Sequence, residues 1–221
     1  VVELGGLADR NATDLQKALT GKRVSLSPSI SAYSEGVNGS STVKDLETLL
    51  QLNYLYFTAP RRDEESYQTL MSILDSQLAN RDKNPKVAWS DSVQMMASNY
   101  SDRTLIVNKE LPSKASLDKA LEVYKARFAN PADFTFFFVG NVDPADPAFQ
   151  TMVCTWLGGL KANKKLEKAA DDKVRVAMGI QKNYFTRQME TKTASNRIQY
   201  TSYDMPYTLA NDLNMEMIGR I

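Results

Sequence analysis

The chain of 221 residues contains no histidine. Without an imidazole it cannot write a Ser-His-Asp or Cys-His catalytic pair, a histidine-containing zinc site, or a charge switch with an unperturbed pKa near neutrality. Cysteine is almost as scarce. Cys154 stands alone, which excludes an internal disulfide and a thiolate metal cage. No apolar run approaches the roughly 20 residues that span a bilayer, so no membrane insertion is expected. The opening Val1-Val2-Glu3-Leu4-Gly5-Gly6 lacks the basic and apolar stretches of a signal peptide. An excess of either charge is also missing: 27 basic and 26 acidic residues leave +1, without the electrostatic footprint of a dedicated nucleic-acid binder.

What is present suffices for a packed core, since 43% of the residues are apolar. Thr13-Asp14-Leu15-Gln16 has the form of a capping box, predicting a helix from Thr13 to about Thr20 that stops at Gly21. Val24 to Ser27 alternates apolar and polar, Pro28 interrupts, and Ile30 to Val37 follows, giving two half-buried strands. A second capping signature at Thr42 opens a helix with Val43, Leu46, Leu49, Leu50, Tyr54 and Phe57 on one stripe, ended by Pro60. The stripe Tyr67, Leu70, Met71, Leu74 and Leu78 predicts its antiparallel partner. Ser90 or Asp91 caps a short helix with Val93, Met95 and Met96, and Ser116 caps a clearer one with Leu117, Ala120, Leu121, Tyr124 and Phe128.

Phe134-Thr135-Phe136-Phe137-Phe138-Val139 is almost wholly apolar and β-prone, the pattern of a central strand covered on both faces. A helix bearing Phe149, Met152, Val153 and Trp156 follows. Residues 161–173 are charged and poor in apolar side chains, so they read as a linker between a domain over 1–160 and a second segment over 174–221. That segment alternates from Val174 to Ile180 and again near Ile198 and Tyr200, then forms a helix with Leu209, Leu213, Met217 and Ile218. The uncapped end at Ile221 and the absence of a strand at the start give the expectation of a piece cut from something longer.

Motifs with catalytic associations reduce to structural roles. Ser116-Leu117-Asp118-Lys119 fits S-x-x-K, but Ser116 is accounted for as a helix cap and no S-D-N occurs. Cys154 sits among apolar residues and reads as a small buried hydrophobe with no base to activate it. Gly36 to Ser41 is glycine-rich but lacks the lysine and serine of a phosphate loop, so it reads as a strand-to-helix turn. Tyr54, Tyr56 and Phe57 beside Arg61 and Arg62 are read as core packing rather than a base-stacking platform, since the aromatics lie on the stripe that needs burial.

The order of elements and several segments resemble one family. Asp14 to Lys22, Gly39-Ser40-Ser41, Asp45-Leu46-Glu47-Thr48, Gln51-Leu52, Tyr54 to Arg61, Phe128 to Phe136 and Val139 to Asp143 carry the likeness. It is to the insulinase/pitrilysin-type zinc metallopeptidases, in particular the non-catalytic C-terminal half of long bacterial members. The resemblance implies an α+β fold, an antiparallel-rich sheet packed with helices on one side and repeated as homologous domains. Residues 1–160 would be most of a third, silent domain and 174–221 the start of a fourth.

In such enzymes the two halves close around an unfolded peptide, and zinc is held by H-x-x-E-H plus a distal Glu in the first domain. No such motif occurs here, so no catalytic or metal-binding residue is assigned; zinc is implied only for another part of a parent enzyme. The expected partners are a peptide or unfolded polypeptide and the catalytic half of the same polypeptide. Exposed apolar surface would also allow the piece to dimerise. A substrate-binding role falls on Ser31, Ala32, Tyr33, Ser34, Glu35 and Gly36, because the corresponding stretch of the family's catalytic domain lies near bound peptide. A periplasmic or envelope location is suggested by the resemblance alone. The residues leave three readings open: part of an active zinc peptidase, a relative that has lost catalysis, or a stand-alone interaction domain with a shared scaffold.

Overall fold

In the computed structural model, residues 2–163, 165–168, 170–171, 173–189, 192–201 and 205–219 are described. The chain forms two compact units, Val1–Ala79 with Lys109–Ala169, and Asn80–Asn108 with Ala170–Ile221. Helices dominate: α1 Val2–Gly5, α2 Ala12–Ala18, α3 Leu46–Thr58, α4 Glu64–Leu78, α5 Pro85–Ala97, α6 Leu111–Lys114, α7 Leu117–Arg127, α8 Pro147–Trp156 and α9 Leu209–Ile218. Two antiparallel strands, β1 Val24–Ile30 and β2 Glu35–Ser41, make a hairpin with Val24 opposite Ser41 and Ile30 opposite Glu35. The fold is therefore a mixture of helices and a small antiparallel sheet.

Local chemistry explains the helix starts. Asn11, rather than Thr13, caps α2, accepting the Asp14 amide at 2.8 Å, and so moves the start one residue earlier than the capping box suggests. Asp63 caps α4 through the Ser66 amide, Ser116 caps α7, Asp146 caps α8 and Thr208 caps α9. In the second unit, Asn84 accepts the Lys86 amide and Pro85 occupies the first turn, so α5 begins well before the Ser90 or Asp91 cap expected from the sequence.

The first unit holds the core. The hairpin packs on α3, which also packs on α8, while α4 packs on α1 and α6. Val2, Leu7, Leu52, Tyr56, Tyr67, Leu117, Leu121, Tyr124 and Phe128 form one buried cluster. Leu7 is its most enclosed member; its backbone bonds Arg10 in both directions, and Ala8 N–H donates to Ala59. Gly6 makes that turn possible, with φ +83° and the Arg10 carbonyl where a Cβ would stand. The aromatic group beside Arg61 and Arg62 is indeed core: Phe57 meets Phe128 and Phe134 edge to face, at 5.3 and 4.9 Å.

Several expectations are corrected. Pro28 does not break the first strand: β1 runs through it opposite Val37, a position a two-stranded ribbon tolerates because one edge needs no donor. Gly36 to Ser41 is strand β2, not a turn. Phe134 to Val139 enters no ladder among the described residues; Phe137 and Val139 are 85% and 97% exposed, so the apolar run is not a covered central strand. Val174 to Ile180 forms no strand among the described residues, and Met178 and Ile180 are exposed, because alternation makes a strand only where a partner edge is available. Cys154 is exposed rather than buried. Within the charged stretch, Lys164, Ala169 and Asp172 lie outside the described residues, as does Ile221; around them, Asn163 N–H bonds Asn130 and Glu167 N–H bonds Asp133.

Candidate functional site

The Ser31 to Gly36 segment is the tip of the hairpin. Ser31 N–H donates to the Ser34 carbonyl at 2.7 Å, and Ser34 N–H donates to Ser31 Oγ at 3.1 Å. These local bonds satisfy the backbone without a ladder, so Ser31 to Ser34 turn rather than extend, and only Glu35 and Gly36 belong to a strand. Tyr33 projects at 79% exposure. Glu35 is pinned from below: Arg127, in the last turn of α7, donates to both its oxygens, at 2.9 and 3.0 Å, and also to Glu167 at 3.0 Å. The two carboxylates hold the Arg127 guanidinium charged, Glu167 foremost. The tip is thus an exposed tyrosine and two serines on a fixed base.

A second feature of the first unit is a cleft of about 270 Å³. The inner face of the hairpin (Leu26, Val37, Gly39) forms one wall, the N-terminal half of α3 the floor, and Phe136 to Val142 the opposite wall. Gly39 brings hairpin and helix together: a Cβ there would overlap Leu26 Cδ1 and stand 2.9 Å from Leu49 Cδ1. Every lining residue is uncharged. One polar group is enclosed with them, the Asn53 side chain, 6% exposed, whose Nδ2 has no hydrogen-bond partner among the described residues. Sequence reasoning passed over Asn53, although it lies three residues from Leu50 and four from Leu49, on the apolar face of α3 where a polar residue stands out.

The junction between hairpin and α3 rests on a buried carboxylate, also missed as a specific contact. Asp45 is 5% exposed; its Oδ2 accepts the Arg23 amide and the Thr42 hydroxyl at 2.9 Å each, and Lys22 lies 3.6 Å from Oδ1. The Arg23 amide above all, then the hydroxyl and the lysine, hold this carboxyl below its ordinary 3.8. It is a structural clasp with no substrate-facing atom in the cleft.

In the second unit Arg81 and Asp91 form a bidentate pair at 2.6 and 2.8 Å, beside a small cavity that Phe185 and Arg187 complete. Asn183 donates to Ser92 Oγ at 2.7 Å. Among the described residues no group of three or more His, Cys, Asp or Glu side chains could hold a metal ion. With no histidine and one exposed cysteine, the donor set of these residues does not fit a zinc centre. No helix among them is long and apolar enough to cross a membrane.

Solved structures of two proteases share this fold. A mutant of the ferredoxin protease FusC in complex with Arabidopsis ferredoxin superposes with TM-score 0.62 at 18% identity, covering 78% of this chain and 18% of that one. The periplasmic protease PqqL from Escherichia coli superposes with TM-score 0.65 at 20% identity, covering 77% and 19%. At this identity the likeness establishes the fold.

The sequence relatives point the same way. A zinc protease PQQL-like protein of Arabidopsis thaliana is 26% identical over 159 residues, 71% of this chain and 16% of the relative. The probable zinc protease PqqL of Escherichia coli (strain K12) is 23% identical over 175 residues, 76% and 18% respectively. The chain's relatives are therefore PqqL-like zinc proteases of the insulinase/pitrilysin family, and it spans less than a fifth of their length. No protein-family model matches the chain.

Proposed function

We propose that the chain is a non-catalytic, substrate-enclosing part of a zinc-dependent endopeptidase or oligopeptidase. One observation carries the reading: three quarters of the chain align with zinc proteases, yet it contains no histidine with which to write their metal site. Peptide-bond hydrolysis would then belong to an H-x-x-E-H domain elsewhere in a parent polypeptide, where zinc-activated water does the chemistry. Residues 1–160 form most of a silent domain, 161–173 a linker and 174–221 the start of the next. The part played here is enclosure and grip of an unfolded chain, with the catalytic half of the same polypeptide as partner.

The FusC complex with ferredoxin supports a peptide or protein as the substrate class, and the periplasmic PqqL supports a periplasmic location. The Ser31 to Gly36 tip remains the proposed contact point: Tyr33 offers an exposed aromatic face, and the clamp on Glu35 fixes where the tip points. Reading the native frame around residues 1–221 tests the proposal. An H-x-x-E-H with a distal Glu is the expected result; a homologous half lacking that motif would make the protein a catalytically inactive structural or peptide-binding subunit instead.

A further inference from the structure

We infer that Asn163, Lys165 and Glu167 belong to a releasable strap, docked on the turn after α7 and coupled through Arg127 to the orientation of the hairpin tip. The inference goes beyond the function proposed above and holds whether or not a parent polypeptide is an active peptidase. The turn supplies the dock. Asn130 accepts the Asn163 amide on Oδ1 at 2.7 Å and donates from Nδ2 to the Lys165 carbonyl at 3.2 Å, while Asp133 accepts the Glu167 amide at 2.8 Å. A 2.8 Å bond from Asn130 Nδ2 to Asp133 Oδ2 keeps the two receiving side chains in register. Glu167 then reaches back to Arg127 Nη1 at 3.0 Å. A segment whose composition reads as a free linker is thus held by its backbone groups on side chains of one short turn.

The hold is polar throughout. Leu160 is buried, but every described residue from 161 to 168 is exposed, Leu166 included, so no apolar anchor adds to these bonds. Exposed polar contacts open at low cost compared with a packed core, which makes release a local event that leaves α7 and the core intact. Arg127 supplies the coupling. Its Nε and Nη2 face Glu35, at 3.3, 2.9 and 3.0 Å, and its Nη1 faces Glu167, so one rigid guanidinium bridges tip and strap with separate donors. Each carboxylate fixes the plane in which the other is met, and losing either frees the fork to swing. Docking of the strap and fixing of the tip therefore favour each other, by the same factor in both directions. Glu167 lies a few residues before Ala170, where the chain enters the second unit, so tension along that connection would lift the strap and slacken the tip.

The test follows amide hydrogen exchange in the 221-residue chain, together with tryptic cleavage after Lys165. In Glu167→Gln, a change at an exposed side chain, exchange of the Asn163 amide rises about threefold, and exchange of the Ser31 and Ser34 amides at the hairpin tip rises with it. Glu35→Gln, on the other side of Arg127, speeds exchange at Asn163 and cleavage after Lys165 by a similar factor, although the sequence around Lys165 is untouched. Arg127→Lys, which keeps the charge and loses the fork, does the same at both places. The double variant Glu35→Gln with Glu167→Gln gives less at Asn163 than the product of the single effects. Three results overturn the inference. Parent rates at Ser31 and Ser34 in Glu167→Gln would leave Glu167 a merely local role. Unchanged cleavage after Lys165 in Glu35→Gln and Arg127→Lys would remove the strap's dependence on the guanidinium. A double-variant effect equal to the product would mean that tip and strap are held independently.

Discussion

Asp45 joins the hairpin to α3 through three donors, so its carboxyl is held below the ordinary value, chiefly by the Arg23 amide. A depressed folded value contributes stability that is complete above the ordinary carboxylate range and is lost as pH falls through the lowered one. Urea midpoints followed from about pH 6 to about pH 2 should show Asp45→Asn less stable than the parent chain, with the gap closing below about pH 4. A gap that stays constant with pH would remove the charge from the account. Tyr124, buried at 5% exposure, donates to the Tyr56 carbonyl at 3.1 Å, and Tyr124→Phe should cost about 1 kcal/mol in urea unfolding. Neither residue was visible as a specific contact in the sequence. Asp45 lies in a capping signature that names no partner, and its donors Arg23 and Lys22 stand more than twenty positions away.

Elements were read well wherever a period was long and a cap marked the start. Helix α7 was placed from Ser116 and its apolar stripe, and Ser116→Ala should lower its stability by about 1 kcal/mol, read as a shift in urea midpoint. The sequence shows two strands near Val24 to Ser27 and Ile30 to Val37 without their pairing; the hairpin instead pairs Val24–Ile30 with Glu35–Ser41 and turns at Ser31 to Ser34. Phe134 to Val139 has stronger β character than β1, yet a ladder depends on a neighbouring edge that the segment's own composition does not specify. Gly39 shows the same limit: the sequence displays a glycine, and only packing shows that Leu26 and Leu49 occupy the space of its missing side chain. Gly39→Ala should therefore destabilise the hairpin against α3, with faster amide exchange across β1 and β2; unchanged exchange would contradict the close packing.

At the scale of the molecule, the chain shares its fold with solved proteases and contains no histidine. The likeness to PqqL-like proteases was legible in segments such as Tyr54 to Arg61 and Phe128 to Phe136, where core aromatics stand beside turn and cap residues. The cleft was not, since it depends on which apolar surfaces the fold leaves uncovered. Exposed side chains such as Phe137, Val139, Met178 and Ile180 should make the isolated chain bind a hydrophobic dye. The most direct measurement of the central claim is zinc-dependent hydrolysis of a quenched fluorescent peptide, run side by side on the parent polypeptide and on the 221-residue chain. Cleavage by the parent, abolished by a chelator, with none by the chain, is the expected result. Metal-dependent cleavage by the chain alone, or none by a zinc-replete parent, would contradict it.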